Sequence, residues 1–114
     1  MAAFTVNSVI SRGPWLVIDA FSTDVSTSTA LLADISNNNH LVKSISVDYQ
    51  KGSANRWIKL FDGSDLQVGP VKTGVAIWQQ DFEDGLTFED GVFVQTESDA
   101  QIHITMIYKL VPIV

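Results

Sequence analysis

The chain of 114 residues lacks cysteine, has only three prolines and contains no long apolar run. The absence of cysteine excludes disulfide bonds, thiolate nucleophiles and cysteine metal sites. No segment approaches the ~20 apolar residues of a membrane-spanning helix, so no membrane partner is expected. The N-terminal segment "MAAFTVNSVISRGPW" has no basic stretch ahead of an apolar one, so it does not predict a signal peptide. Assembly in a cytoplasm is therefore expected.

Positive charge is also scarce. Seven basic residues are scattered among 13 acidic ones, and the net charge is −6. Nucleic-acid binders gain affinity when Lys and Arg neutralise phosphates, so no nucleic-acid partner is expected. The 46% hydrophobic and 18% charged residues are typical of a globular protein. Residues 1–114 are expected to form one domain, whose core is large enough to need no metal or other cofactor.

Alternation of apolar and polar residues dominates the chain, and long helical periodicity is absent. In "QIHITMIYKL", Ile102, Ile104 and Met106 share one face, which predicts a centrally placed strand. We predict an all-β fold, a jelly-roll-like antiparallel β-sandwich, with a small β-barrel as the second choice. The expected strands cover residues 4–10, 14–21, 41–50, 56–61, 66–71, 74–78, 86–88, 92–96 and 101–110.

Three local patterns refine this prediction. Residues 41–61 read as a hairpin with a loop of about five residues. Pro70 restricts its strand to a sheet edge or a bulge, because proline cannot donate a ladder hydrogen bond. The apolar patch 30–33 fits either a short strand or a single helical turn. On the strand starting at residue 41, one face is expected to carry Leu41, Ile45, Val47 and Tyr49, with Lys43 as an exception.

The motifs of common catalytic and metal sites are missing. The two histidines, His40 and His103, lie in different segments without the spacing of metal ligands. No nucleophile elbow, P-loop or dinucleotide-binding glycine pattern occurs. We therefore expect no catalytic residues and no enzyme activity.

The segment "DFEDGLTFEDGVFV", residues 81–94, repeats Phe-Glu-Asp-Gly. Its carboxylates could serve calcium, which prefers clustered oxygen ligands. The alternative is a pair of tight turns, because Asp hydrogen-bonds its own backbone and Gly permits positive φ. We predict two turns that flank a short strand containing Leu86 and Phe88, and calcium binding stays open.

Several apolar residues are expected to face outward. If Ile58 and Leu60 face the core, Trp57 and Phe61 face away from it. The chain also ends on apolar residues, where termini are usually polar. These side chains predict self-association, and the candidate interface consists of Trp57, Phe61, Val111, Ile113 and Val114. The three tryptophans, Trp15, Trp57 and Trp78, could fill the core or a subunit contact, or they could stack on sugar rings in a carbohydrate-binding or host-recognition module.

Residues 41–110 carry a further pattern in "LVKSISVDYQKGSANRWIKLFDG", "VGPVKTGVAIWQQDFEDGLTFEDGVFVQT" and "IHITMIYKL". The order of these segments along the chain resembles that in a small β-domain of tailed-bacteriophage virion proteins. The resemblance implies a jelly-roll-like, often trimeric capsid decoration (cement) protein, located on the virion surface and bound to the major capsid protein or other virion proteins. It brings no active-site residues. The matching positions, expected to determine the fold, are Trp57, Lys59, Leu60, Asp62, Gly85, Leu86, Phe88 and Gly91.

Overall fold

The computed structural model describes residues 4–51, 57–72, 77–97 and 101–113. These residues form nine strands: β1 (Thr5–Arg12), β2 (Trp15–Ser22), β3 (Thr29–Leu32), β4 (Asn38–Lys51), β5 (Trp57–Asp62), β6 (Asp65–Lys72), β7 (Ile77–Phe88), β8 (Val92–Thr96) and β9 (Gln101–Pro112). In the described part of the chain, no helix has the length and apolar character that crossing a membrane requires. The all-β prediction is confirmed.

The strands form two antiparallel sheets that pack face to face. One sheet has five strands in the order β1-β2-β9-β4-β7, and the other has four in the order β3-β8-β5-β6. From β2 onward, each sheet alternates early and late strands of the chain, which is the double Greek key of a jelly roll. The jelly-roll-like sandwich predicted from the sequence is confirmed. As predicted, β9 lies centrally, and Pro70 lies on β6, at a sheet edge.

Side chains that alternate along the strands fill the space between the sheets. On β9, Ile102, Ile104 and Met106 are fully buried, and on β5, Ile58 and Leu60 are buried against them in one core cluster. Burying side chains of this size stabilises the fold by ~1.5–3 kcal/mol each. The apolar patch at residue 30 forms strand β3, so of its two predicted alternatives the strand is correct.

The predicted hairpin over residues 41–61 is wrong. Strand β4 pairs with β7 and β9, whereas β5 pairs with β6 and β8 in the opposite sheet. Two alternating strands joined by a short polar segment resemble a hairpin in sequence, but the same pattern also fits a crossover between sheets. The connecting residues 52–56 lie outside the described part of the chain.

A β-bulge changes which residues of β4 face the core. The register shifts between Val42 and Ser44 in both ladders. Against β9, Lys43 is one extra residue, whereas against β7 it lies opposite four residues, 82–85, so the excess there is on β7. Beyond the bulge, Ile45 and its alternating successors are buried as predicted. Before it, Val42 is buried and Leu41 is only half-buried, so the prediction that Leu41 shares their face is wrong.

Candidate interaction surfaces

The outer face of the four-stranded sheet carries two of the predicted interface residues. Trp57 and Phe61 are half-buried and alternate with the buried Ile58 and Leu60 along β5. Both therefore point away from the core, as the period of two predicts. Their direction is confirmed, and their role in an interface stays a prediction.

Phe61 belongs to a larger apolar feature. Its partner on β8 is Phe93 and its partner on β6 is Leu66, while Phe93 in turn pairs with Ala30 on β3. Opposite residues in a ladder lie side by side on one face. These four residues, here called the apolar row, cross all four strands on the outer face, and Leu66 is 51% exposed.

Three contacts hold the backbone and the ring of Trp57 in place. Its N–H donates to Oε2 of Glu97 (2.7 Å), and its carbonyl oxygen accepts a hydrogen bond from the hydroxyl of Tyr49 (3.0 Å). The ammonium of Lys59 lies 5.0 Å from the centre of the Trp57 ring, within cation–π range. These contacts fix where Trp57 begins the strand, and its ring lies on the same outer face as the apolar row, four residues from Phe61 along β5.

The apolar C-terminal residues lie on the other sheet. Val111 pairs with Asn39 at the end of the β4–β9 ladder, and the Ile113 N–H donates to the Asn37 carbonyl oxygen at 2.9 Å. The backbone is therefore held by its own chain, while the Ile113 side chain is 56% exposed. Val114 lies outside the described residues. The structure thus places the predicted interface residues on two sheets instead of bringing them together.

A second outer surface, on the five-stranded sheet, escaped the sequence analysis. Trp15 begins β2 with its ring between two lysines, whose ammonium groups lie 5.2 Å (Lys43) and 4.7 Å (Lys109) from the ring centre. Arg12 is the ladder partner of Trp15 on β1. We call these four residues the basic patch. They come from four strands, so only the sheet order, which the sequence does not state, could have revealed their proximity.

The three tryptophans occupy three separate environments. Trp15 lies on the outer face of the five-stranded sheet and Trp57 on that of the four-stranded sheet. Trp78 pairs with the buried Val47 and packs against the core. A sugar-stacking groove needs at least two aromatic rings side by side on one surface. The three tryptophan rings do not lie side by side on one surface, so they do not form the stacking pair that the carbohydrate-binding alternative predicts.

The doubled acidic segment contains one turn instead of the predicted two. Asp84 and Gly85 lie inside β7, where Gly85 (φ 82°) sits at the β-bulge opposite Lys43. The second copy does turn: Glu89-Asp90-Gly91 links β7 to β8. The prediction of a first turn is wrong because a β-bulge uses the same positive-φ glycine as a turn does.

A buried carboxylate on β5 holds this turn. Oδ1 of Asp62 accepts hydrogen bonds from the backbone N–H groups of Glu89 (2.9 Å) and Asp90 (2.6 Å). Hydrogen bonds to a carboxylate are stronger than those between neutral groups. Among the described residues, no group of three or more His, Asp or Glu side chains is arranged to hold a metal ion. In this geometry Asp62 is a fold-determining residue.

The two histidines are far apart in the structure. His103 on β9 forms an ion pair with Asp19 of the neighbouring strand β2. His40 is 1% exposed, tilted against Tyr108 with the ring centres 5.9 Å apart. Burial lowers the pKa of His40 below its usual 6.5, while the carboxylates of Asp34 and Asp62 oppose this shift more weakly. His40 is therefore a neutral core residue at neutral pH.

Comparisons with protein-family models, with curated proteins and with solved structures found no match to this chain.

Proposed function

We propose that this protein is a structural subunit of a bacteriophage virion, a capsid decoration protein that stabilises the shell by burying apolar surface against neighbouring subunits. The observation that carries the proposal is the apolar row, Ala30–Phe93–Phe61–Leu66, on the outer face of the four-stranded sheet. Contiguous apolar surface on a soluble protein marks a site of contact with another molecule.

The row suits a contact surface because its backbone is rigidly held. Phe61 and Phe93 stand opposite each other on the two central strands of the sheet. Aromatic side chains offer large contact areas and lose little conformational entropy on binding. Each Å² of apolar area that the row buries contributes ~25 cal/mol before the costs of association. A subunit that binds at many equivalent lattice positions would add this energy at each of them.

The choice of a phage particle rests on the resemblance of residues 41–110 to small β-domains of tailed-phage virion proteins. Several matching positions act as fold determinants in the structure. Leu60 and Phe88 are fully buried, Asp62 holds the β7–β8 turn, and Gly91 adopts a φ of 92°. The jelly-roll topology is also the one that the resemblance implies. The shell partner, a trimeric state and a place on the capsid surface belong to the same proposal.

Co-sedimentation with shells tests the proposed function. The purified protein should pellet with particles of the encoding phage from which accessory proteins have been stripped. Leu66→Lys should lower the bound fraction about tenfold or more, since it buries an unpaired charge in the contact. Val9→Lys is the matched control, because Val9 is also 51% exposed but lies on β1 of the other sheet. A protein that does not pellet, or equal losses for both variants, would contradict the proposal.

A further inference from the structure

The basic patch brings three of the seven basic residues of an acidic protein together on one face. The ammonium groups of Lys43 and Lys109 lie over the Trp15 ring and Arg12 is the ladder partner of Trp15, although the whole chain has a net charge of −6. Among the described side chains, no carboxylate lies within salt-bridge distance of any of these three cations. Like charges held together without counter-charges repel one another, and an incoming acidic group would relieve that repulsion.

An apolar strip borders the basic patch on the same face. Ile10, Val17 and Ile107 are ladder partners across β1, β2 and β9. Val17 and Ile107 alternate with core residues and therefore point outward, and Ile10 is exposed. A surface that combines apolar side chains with unpaired cations fits a partner that carries apolar side chains and carboxylates together.

The β7 edge of the same protein has this composition. Asp81, Glu83 and Asp84 are exposed on β7, and Ile77, at the start of the strand, is 60% exposed. Strand β7 pairs only with β4 among the described strands, so its other side is open. The sheet thus has carboxylates on its β7 edge, and its cations extend from Lys43 on the neighbouring strand β4 across to Arg12 on the opposite edge strand β1.

We propose that the basic patch of one copy binds the acidic β7 edge of a second copy. The occupant is a second copy of this chain because its β7 edge supplies carboxylates for the cations and the exposed Ile77 for the apolar strip. The contact joins two different surfaces, so it is heterologous, and its repetition gives a ring such as a trimer where the rotation between copies closes. This inference deepens the proposed role as an assembly subunit and rests on it, but it concerns contacts between copies and leaves shell binding to the apolar row.

Charge reversal in solution tests the contact. Sedimentation velocity of the full chain should show concentration-dependent self-association that weakens between ~50 mM and ~500 mM salt. The double variant Lys43→Glu/Lys109→Glu should weaken association by about tenfold or more at low salt, because it places like charges opposite each other. Asp81→Lys/Glu83→Lys should weaken it similarly. Both pairs of changes in one chain restore opposite charges and should recover association.

The matched control is Lys59→Glu. Lys59 also lies over a tryptophan ring, at 5.0 Å from the centre of Trp57, but on the other sheet, so association should be unchanged. Circular dichroism and thermal unfolding check that each variant is folded. A monomeric wild type, salt-independent association, or failure of the fourfold variant to recover would overturn the inference. If shell binding persists in any of these cases, the proposed function stands and only the contact between copies is wrong.

Discussion

The five-stranded sheet ends in two edge strands, β1 and β7, which differ in how they are attached. Each pairs on one side only among the described strands. On β1, every residue is exposed except the half-buried Ser8. On β7, Phe88 is fully buried, and Trp78, Phe82 and Leu86 pack against the core. Both strands are held by an antiparallel ladder, so the side chains decide which edge packs into the core and which stays exposed.

The two edges also differ in their protection against pairing with other strands. Strand β7 carries Asp81, Glu83 and Asp84 and is bent by the bulge at Gly85. Charges and bulges are the devices by which proteins prevent edge-to-edge association. Strand β1 has no charged residue between Thr5 and Ser11. The acidic edge is therefore restricted to contacts made through its side chains, whereas β1 can accept backbone pairing.

The largest expected difference between the edges concerns stability. Phe88→Ala should lower the free energy of unfolding by about 3–5 kcal/mol, because it leaves a cavity in the core. Val9→Ala on β1 should change it by no more than about 0.5 kcal/mol, since Val9 is half exposed. Urea unfolding of both variants measures the two values. Similar losses would show that β1 is as much a part of the core as β7.

The next difference concerns a glycine at each edge. Gly85→Ala should cost about 1–3 kcal/mol, because φ is 82° and the new Cβ would lie 2.6 Å from Cδ1 of Leu41. Gly13→Ala, in the β1–β2 turn, should cost about 1 kcal/mol, since φ is 64° but nothing lies within 4 Å of the new Cβ. Thermal unfolding compares them. A larger loss at Gly13 would contradict the tight packing assigned to the bulge.

Edge protection should appear as a difference in aggregation. Replacing Asp81 and Glu83 by Thr should raise the rate of aggregation, because β7 then loses the charges that oppose strand addition. Replacing Val9 by Lys should lower it, because β1 gains such a charge. Light scattering during incubation below the unfolding temperature measures the aggregation rate of both variants. Unchanged aggregation rates in both variants would contradict the proposed difference in protection between the two edge strands.

The smallest expected effect is on the pH dependence of stability, and it concerns His40, the ladder partner of Phe88. Burial lowers the pKa of folded His40, so below pH 6.5 the unfolded chain binds a proton that the folded chain resists. The free energy of unfolding should therefore show no loss from His40 above pH 6.5. It should fall as the pH drops from 6.5 toward the pKa of folded His40. Urea unfolding at several pH values should show a shallower slope for His40→Gln. Equal slopes would contradict this assignment.

The sequence predicted the parts of the fold that depend on local alternation. The face of β9 with Ile102 and Ile104, and that of β5 with Ile58 and Leu60, follow from a period of two. The strands that pair with β5 cannot be predicted from this period, because a crossover between sheets and a hairpin share the same pattern. The bulge at Lys43 reversed the face of Leu41, since one inserted residue shifts the alternation by one position.

The candidate surfaces were predictable to a smaller extent. The direction of Phe61 followed from its own strand, but its neighbours Phe93, Leu66 and Ala30 are brought together by ladders that no local pattern specifies. The basic patch depends on four strands in the same way. The acidic repeat was ambiguous because Glu-Asp-Gly suits both a turn and a bulge.

An electron cryo-microscopy map of the particle tests the central claim most directly. The account predicts that this chain lies on the shell surface with the outer face of its four-stranded sheet against the lattice, and with Phe61 and Phe93 in the contact. A chain that is absent from the particle, or that meets the shell with this face turned to solvent, would contradict the account.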